Sequence, residues 1–177
     1  MSVSKIVSKH SPIYHLGFFV EDAMAFARQH HDLYGSGPFI VMENFPIEHI
    51  FRGKEMTIMI TVVEGWWKDL SIEIIQQHTE GPSYFKENGR YGFHHICFSV
   101  SDVPAACKEF EAAGRSIQVT SFDRPTPYAF IDAREQSGYY IELIPTVDPL
   151  SQIVKKWAAD WDGETKLFRT LEDARKG

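Results

Sequence analysis

The 177-residue sequence has little cysteine, no block of basic residues and no long apolar run. Its two cysteines, Cys97 and Cys107, are too few for a disulfide framework, which indicates reduced thiols in a cytoplasmic protein. The net charge of −6 and the lack of a basic stripe argue against nucleic acid as a partner. No segment approaches a membrane span and the N-terminus shows no signal-peptide pattern, so no membrane association is expected.

The composition is that of a folded domain. Hydrophobic residues make up 44% of the chain and aromatic residues 14%, which is enough for a core and excludes a disordered protein. The length suits one domain or two small tandem halves.

An internal repeat relates the two halves of the chain. Residues 14–35, YHLGFFVEDAMAFARQHHDLYG, align with residues 94–114, HHICFSVSDVPAACKEFEAAG, so that His15 falls on His95. Each segment predicts a strand, an aspartate N-cap, a helix and a terminal glycine. Further strand-like segments follow at residues 56–63 and 70–76 in the first half, and at residues 116–122, 128–132 and 139–144 in the second. The sequence therefore predicts an α+β fold of two tandem βαβββ modules.

The predicted modules have the following bounds. The first covers residues 11–76, and residues 77–92, which contain Gly, Pro, Ser and Asn, form a linker. The second module covers residues 93–146. A C-terminal helical extension covers residues 149–177, and its apolar stripe predicts a helix that packs on the domain or on a partner subunit, with a substrate lid as the alternative.

The alternation of side chains along a strand separates charged from apolar residues. On the first strand Leu16 and Phe18 share one face, which we expect to pack on the helices, so His15 points to the opposite side. The closing strands of the two halves, IEII and IELI, each hold a glutamate between apolar neighbours, Glu73 and Glu142. A carboxylate in that position is costly to bury without a compensating charge or hydrogen bond.

A divalent metal ion accounts for the repeated histidine and glutamate together. Two imidazoles and two carboxylates, from His15, Glu73, His95 and Glu142, would give a neutral shell around a 2+ ion. This mixed set suits Zn, Ni, Co, Mn or Fe(II). Taken singly, each histidine is also compatible with a hydrogen-bonded core residue, and each glutamate with a solvent-facing one.

The segments YHLGFFV, SIEIIQQ, HHICFSV and YYIELIP resemble the vicinal oxygen chelate (VOC) superfamily, which includes glyoxalase I, methylmalonyl-CoA epimerase, extradiol dioxygenases and bleomycin-resistance proteins. The resemblance covers residues 11–146 as one domain and is closest to the glyoxalase and epimerase branch, where a GxHHI segment opens the second module. It implies an open, cup-shaped mixed sheet, a homodimer, and a metal on the four residues above. The repeat register selects His95 over His94, which we expect on the helix side or at the strand edge.

The resemblance also implies the chemistry. A small carbonyl or thioester substrate would place an oxygen on the metal, and isomerase, epimerase or lyase reactions would follow through an enolate. Glu142 or Glu73 would be ligand and base at once, with Glu48 and Glu55 as weaker base candidates. An Fe(II)-dependent extradiol-type dioxygenase and a non-catalytic binding or resistance protein are the alternatives. No glutathione-binding signature is recognised, which argues against glyoxalase I activity itself.

A mostly apolar pocket is expected around the metal, suited to an aromatic or acyl substrate. Six side chains are predicted to line it: Phe19, Met59, Cys97, Ser99, Tyr128 and Tyr140. Ordinary core packing is the alternative for each. Arg52 and Lys54 are weaker candidates for holding an anionic group of the substrate.

Overall fold

A computed structural model describes residue 7 and residues 11–123, 126–145 and 149–176. The strands are β1 (Ile13–Phe19), β2 (Phe39–Phe51), β3 (Lys54–Trp67), β4 (Leu70–Gln77), β5 (Gly92–Val100), β6 (Ile117–Thr120), β7 (Ala129–Asp132), β8 (Tyr140–Pro145) and β9 (Phe168–Thr170). The helices are α1 (Ala23–Tyr34), α2 (Val103–Ala112), α3 (Arg134–Ser137), α4 (Pro149–Ala159) and α5 (Leu171–Lys176), with a 3₁₀ helix at Lys86–Asn88. Residues 146 and 177, which end the predicted second module and extension, lie outside the described residues.

The nine strands form one mixed sheet in the order β3-β4-β1-β5-β8-β7-β6-β2-β9, and β2 also pairs with β3. The central pairs are mixed as expected, since β1 is parallel to β4 and antiparallel to β5, and β5 is parallel to β8. The sheet is not open, however, because β2 joins β3 to β6 and curls eight strands into a barrel-like cup. The closure between β2 and β6 rests on two residue pairs, Ile50 with Thr120 and Phe51 with Val119.

Both main helices begin after the predicted aspartate caps, and the predicted glycine follows each of them, directly after α1 and two residues after the end of α2. Asp22 and Asp102 each accept a hydrogen bond at 2.9 Å from the backbone N–H three residues further on. Gly35 has φ 69° after α1 and Gly114 has φ 77° after α2, a left-handed conformation that favours glycine. Each aspartate cap is expected to stabilise its helix by about 1 kcal/mol.

Side-chain alternation separates the barrel interior from two outer cores. Phe18 and Val20 pack with α1 residues in one outer cluster, and Val100 packs with α2 residues in the other. Phe19 and Ile75 point the opposite way and belong to the interior cluster. The predicted apolar faces against the helices are therefore confirmed.

Two expectations about the interior need correction. Met59 does not face it, because Ile58 and Ile60 on either side of it belong to the interior cluster and alternation turns Met59 outward. The segment expected to be a linker supplies part of the core. Tyr84 and Phe85 are each 1% exposed and pack inside the barrel.

The C-terminal extension returns to the sheet. Helix α4 contacts β3, and β9 pairs parallel to β2 before α5 begins. Ser151 and Val154 are the buried side chains of α4. The helix ends before Trp161, whose indole N–H donates to the carbonyl of Thr165 at 2.6 Å. Within the described residues, no helix is long and apolar enough to cross a membrane.

Candidate metal centre

Four neighbouring strands at the centre of the sheet each contribute one polar side chain to the interior. Glu73 of β4 lies opposite Gly17 of β1, two residues after His15. On the other side of β1, Gly17 lies opposite His95 of β5, and the parallel strand β8 carries Glu142. The structure thus brings the four sequence-predicted ligand candidates together.

The ligand atoms of these four residues all lie within 4.8 Å of one another. Nε2 of His15 is 2.8 Å from Oε2 of Glu142 and 3.0 Å from Nε2 of His95. Nε2 of His95 is 3.2 Å from the same oxygen of Glu142. Oε2 of Glu73 is 3.4 Å from Nε2 of His95 and 3.7 Å from Nε2 of His15, so Glu73 is the more loosely placed carboxylate.

The donor set and its spacing fit a divalent transition-metal ion. Such ions bind histidine nitrogen and carboxylate oxygen at about 2.0–2.2 Å, which places adjacent ligand atoms about 3.0–3.4 Å apart. Oε2 of Glu142 is buried and accepts no well-aligned hydrogen bond from the described residues, although two ring nitrogens lie within 3.2 Å of it. A cation at the point of convergence would compensate this otherwise costly burial.

The charges of the four side chains depend on one another. Burial opposes a charge on His95, but Glu142 and Glu73 outweigh it and raise the pKa of His95 to about 9. Burial also opposes a charge on His15, whose pKa is nevertheless raised by Glu73 and Glu142. The pKa of Glu142 is lowered, because the two rings outweigh the burial that would raise it. A bound ion would displace the ring protons, since histidine binds metal in its neutral form.

His94 does not occupy the position expected from the sequence. It is 1% exposed, and the centre of its ring lies 5.1 Å from that of Tyr140 inside the barrel. The reason is a β-bulge, because β1 pairs with the residues on either side of His94 and leaves it as the extra residue of β5. No periodicity in the sequence marks this bulge.

The three aromatic residues of the predicted pocket face the barrel interior. Phe19 and Tyr140 belong to the interior cluster, and Tyr128 packs against it. The hydroxyl of Tyr140 donates to Oε2 of Glu87 at 3.0 Å. These aromatic side chains give the interior a largely apolar lining beside the candidate centre.

Cys97 and Ser99 are also buried. Burial, followed by the charge of Glu142, raises the pKa of the Cys97 thiol well above its usual range. The thiol lies within hydrogen-bond reach of Glu142, so this predicted pocket residue adjoins the candidate centre. The hydroxyl of Ser99 donates to the carbonyl of Pro145 at 3.4 Å. The hydroxyl of Ser99 is therefore bonded to the backbone at the end of β8.

The weaker candidates lie elsewhere. Glu48 and Glu55 are exposed and line a cavity of about 600 Å³ where β2, β3 and β6 meet. Arg52 donates to Glu87 at 2.9 Å and to Gln118 at 2.7 Å, so its charge is already engaged. Lys54 is exposed at the start of β3.

A second buried carboxylate was missed by the sequence analysis. Glu64 of β3 pairs in register with Glu73 of β4 and is 6% exposed. Its Oε1 accepts a hydrogen bond from Ser71 at 2.9 Å and another from Ser151 of α4. The strand predicted from its apolar residues ended at Val63, one residue too early to include Glu64.

The fold and the site together define a class of protein, a mixed β-barrel whose inner wall carries two histidines and two glutamates. The chain belongs to the Glyoxalase/Bleomycin resistance protein/Dioxygenase superfamily, whose sequence profile matches residues 14–130. The resemblance to the VOC superfamily is thereby confirmed.

Curated relatives match over shorter stretches. The chain is 41% identical to glyoxalase I of Saccharomyces cerevisiae over 70 residues. This stretch covers 37% of this chain and 21% of that protein. It is 46% identical over 54 residues to lactoylglutathione lyase of Pseudomonas putida, which covers 30% of each. The matched stretches therefore span less than a third of the length of these relatives.

Solved structures match over most of the chain. Methylmalonyl-CoA epimerase from Mycobacterium tuberculosis has a TM-score of 0.54 at 17% identity, covering 86% of this chain and 97% of that one. A hypothetical protein from Bacillus halodurans has a TM-score of 0.57 at 14% identity, covering 79% and 97%. At these identities the likeness shows the shared fold alone.

Proposed function

We propose that this protein is a divalent-metal-dependent enzyme that moves a proton next to a carbonyl group, in an isomerase, epimerase or lyase reaction. The observation that carries the proposal is the convergence of four ligand atoms, one from each of four central strands, inside a buried wall of the barrel. The names of the relatives, glyoxalase I, lactoylglutathione lyase and methylmalonyl-CoA epimerase, support this reaction class.

His15, His95, Glu73 and Glu142 would hold the ion. When bound, the ion supplies Lewis-acid stabilisation of negative charge on a substrate oxygen. We assign metal binding foremost to His15, His95 and Glu142, because Glu142 lies nearest to both rings.

Glu73 is the better candidate for the carboxylate that accepts the substrate proton. Its side chain is 22% exposed against 10% for Glu142, and it stands farther from both rings. A carboxylate with this freedom can reach a substrate atom while it remains close to the ion.

The substrate class follows from the lining and the relatives. We propose a small carbonyl compound or thioester with an acyl or aromatic portion, because Phe19, Tyr128 and Tyr140 make the interior largely apolar. The relatives are named for lactoylglutathione and methylmalonyl-CoA, which both contain a thioester.

Several finer predictions remain as proposals. We propose that residues 11–76 and 93–146 are two related modules, each giving one histidine and one glutamate, joined by residues 77–92 and followed by the extension of residues 149–177. A homodimer and a cytoplasmic location remain predictions of the family resemblance and the composition. Zn, Ni, Co, Mn and Fe are all compatible with the donor set.

One observation favours a second candidate function. Without Glu73, the remaining His15, His95 and Glu142 form the two-histidine, one-carboxylate set of Fe(II) oxygenases. Because Oε2 of Glu73 lies farther from both histidine rings than Oε2 of Glu142 does, an extradiol-type dioxygenase is the alternative. Consumption of oxygen with catechols by the iron-loaded protein would support it.

The test combines metal analysis with proton exchange. The protein is purified without chelator, its metal is measured by plasma mass spectrometry, and lactoylglutathione and methylmalonyl-CoA are incubated with it in D₂O. We expect a stoichiometric ion and deuterium at the carbon next to the carbonyl, detected by proton NMR.

The matched controls are single substitutions. Glu142→Gln is expected to lose the ion, whereas Glu111→Gln, an exposed residue of α2, is expected to behave as the wild type. Absence of bound metal after incubation with each of the five ions would contradict the proposal. Bound metal without deuterium incorporation in either thioester would favour the dioxygenase or a non-catalytic binding protein.

A further inference from the structure

The bulge in β5 places two consecutive histidines in the barrel interior, although neighbouring strand residues ordinarily face opposite ways. Nδ1 of His94 lies 2.9 Å from Nδ1 of His95. Nε2 of His94 lies 3.2 Å from the backbone carbonyl oxygen of Tyr84. One ring thus connects a candidate metal ligand to the loop that precedes β5.

These contacts permit one arrangement of protons when His95 binds a cation. Nε2 of His95 faces Glu142 and His15, so the proton of its neutral ring must be on Nδ1. Nδ1 of His94 can then only accept. The proton of the neutral His94 ring is therefore on Nε2, where it donates to the carbonyl of Tyr84.

We propose that His94 is a positioning residue for the metal centre, which accepts a hydrogen bond from His95 and is itself anchored by the carbonyl of Tyr84. This inference rests on the proposed metal-binding role of His95. Ligand histidines commonly donate their second ring N–H to a carboxylate, a carbonyl or a water molecule. Here a second imidazole takes that place.

The arrangement has a physical consequence for metal affinity. His95 is completely buried, so bulk water offers no substitute acceptor for its Nδ1–H. Without His94, the tautomer of His95 with its proton on Nε2 competes, and that tautomer cannot bind a cation through Nε2. The loop that carries Tyr84 and Phe85 is thereby coupled to the orientation of a ligand ring.

Three variants test the proposal. His94→Phe keeps an aromatic ring beside Tyr140 but removes the acceptor, whereas His94→Asn retains an acceptor oxygen near the position of Nδ1. His30→Phe is the matched control, because His30 is another buried histidine, bonded through Nδ1 to Ser36 at 2.8 Å and located on α1. Affinity for Zn²⁺ is measured by competition with a chromophoric chelator, and the His94 tautomer by two-bond proton–nitrogen NMR correlations.

We expect His94→Phe to lose about 10- to 100-fold in Zn²⁺ affinity, with recovery in His94→Asn and no loss in His30→Phe. In the wild type we expect His94 to be neutral and protonated on Nε2. Wild-type affinity in His94→Phe, an equal loss in His30→Phe, or a proton on Nδ1 of His94 would overturn the proposal. If the wild type binds no ion, the proposed function and this role of His94 both fail, whereas normal binding by the wild type and by His94→Phe would overturn the role of His94 alone.

Discussion

Gly17 and His95 lie opposite each other on β1 and β5, and the imidazole ring of His95 occupies the space that a side chain at residue 17 would need. A β-carbon built on Gly17 would lie 1.9 Å from Cε1 and 2.1 Å from Nε2 of His95. The ring of this candidate ligand therefore rests directly on the backbone of β1. Glycine is required there because the ring of His95 approaches the backbone so closely. The backbone conformation is not the reason, because Gly17 does not have a positive φ.

The substitution Gly17→Ala should displace the ring of His95. We expect a loss of about 1–3 kcal/mol in the free energy of unfolding from overpacking, together with weaker Zn²⁺ binding. Gly65→Ala is the matched control, because its β-carbon would meet the ring of Phe39 at 2.2 Å, on the outer side of the sheet. Chemical denaturation and chelator competition check both. A similar affinity loss in the two variants would contradict the specific role of Gly17.

The stability of the chelator-treated protein should fall as the pH rises from about 6.5 to about 9. The folded protein raises the pKa of His95 from 6.5 to about 9. The stabilisation by its charged ring is thus fully present below pH 6.5 and is lost as the pH rises through about 9. Urea denaturation across this range measures the slope. His95→Gln should lack this contribution, and an identical slope in that variant would assign the effect to another group.

The two glutamates of the centre should separate binding from proton transfer. Glu142→Gln is expected to weaken metal binding more than Glu73→Gln, because Glu142 lies closer to both rings. Glu73→Gln is expected to slow deuterium exchange by about 10²–10⁴-fold while the protein still binds metal. The reverse order of effects would exchange the roles assigned to the two carboxylates.

The C-terminal helix should stabilise the barrel through a buried carboxylate. Ser151→Ala removes a hydrogen bond to Glu64, and we expect a loss of about 1–3 kcal/mol in the free energy of unfolding. Gln152→Ala changes the neighbouring exposed residue of α4 and should have little effect. Thermal and urea unfolding of both variants provide the comparison. An unchanged stability of Ser151→Ala would show that α4 does not depend on this contact.

The sequence alone was sufficient for the repeat and the faces of its strands. His15 and His95, like Glu73 and Glu142, occupy matching positions because each half repeats the same strand and helix pattern. Alternation along a strand is a local property, so it correctly separated these four residues from the apolar faces. The aspartate caps were predictable for the same reason, since a cap acts within three residues of its own helix.

The sequence did not reveal strand β2 or the burial of Glu64, because both depend on contacts with distant segments of the chain. The sequence of β2 includes Asn44, Pro46 and Glu48, and no simple alternation of apolar residues marks it as a strand. Its long pairing with β3 holds it in the sheet. In the sequence, Glu64 has the pattern of a polar residue at the end of a strand. Its burial depends on Ser151, which is distant in the sequence and donates a hydrogen bond to it.

By itself the sequence determined the mixed α and β composition of the fold, the family and the four residues that meet at the candidate centre, because periodicity and caps are encoded within a few neighbouring residues. Only the tertiary structure decided that the cup closes through β2, that Tyr84 and Phe85 fill its interior, and that His94 stands beside His95. A bulge depends on how two strands register against each other, and burial depends on which distant segments cover a site. Neither quantity is a property of any short stretch of sequence.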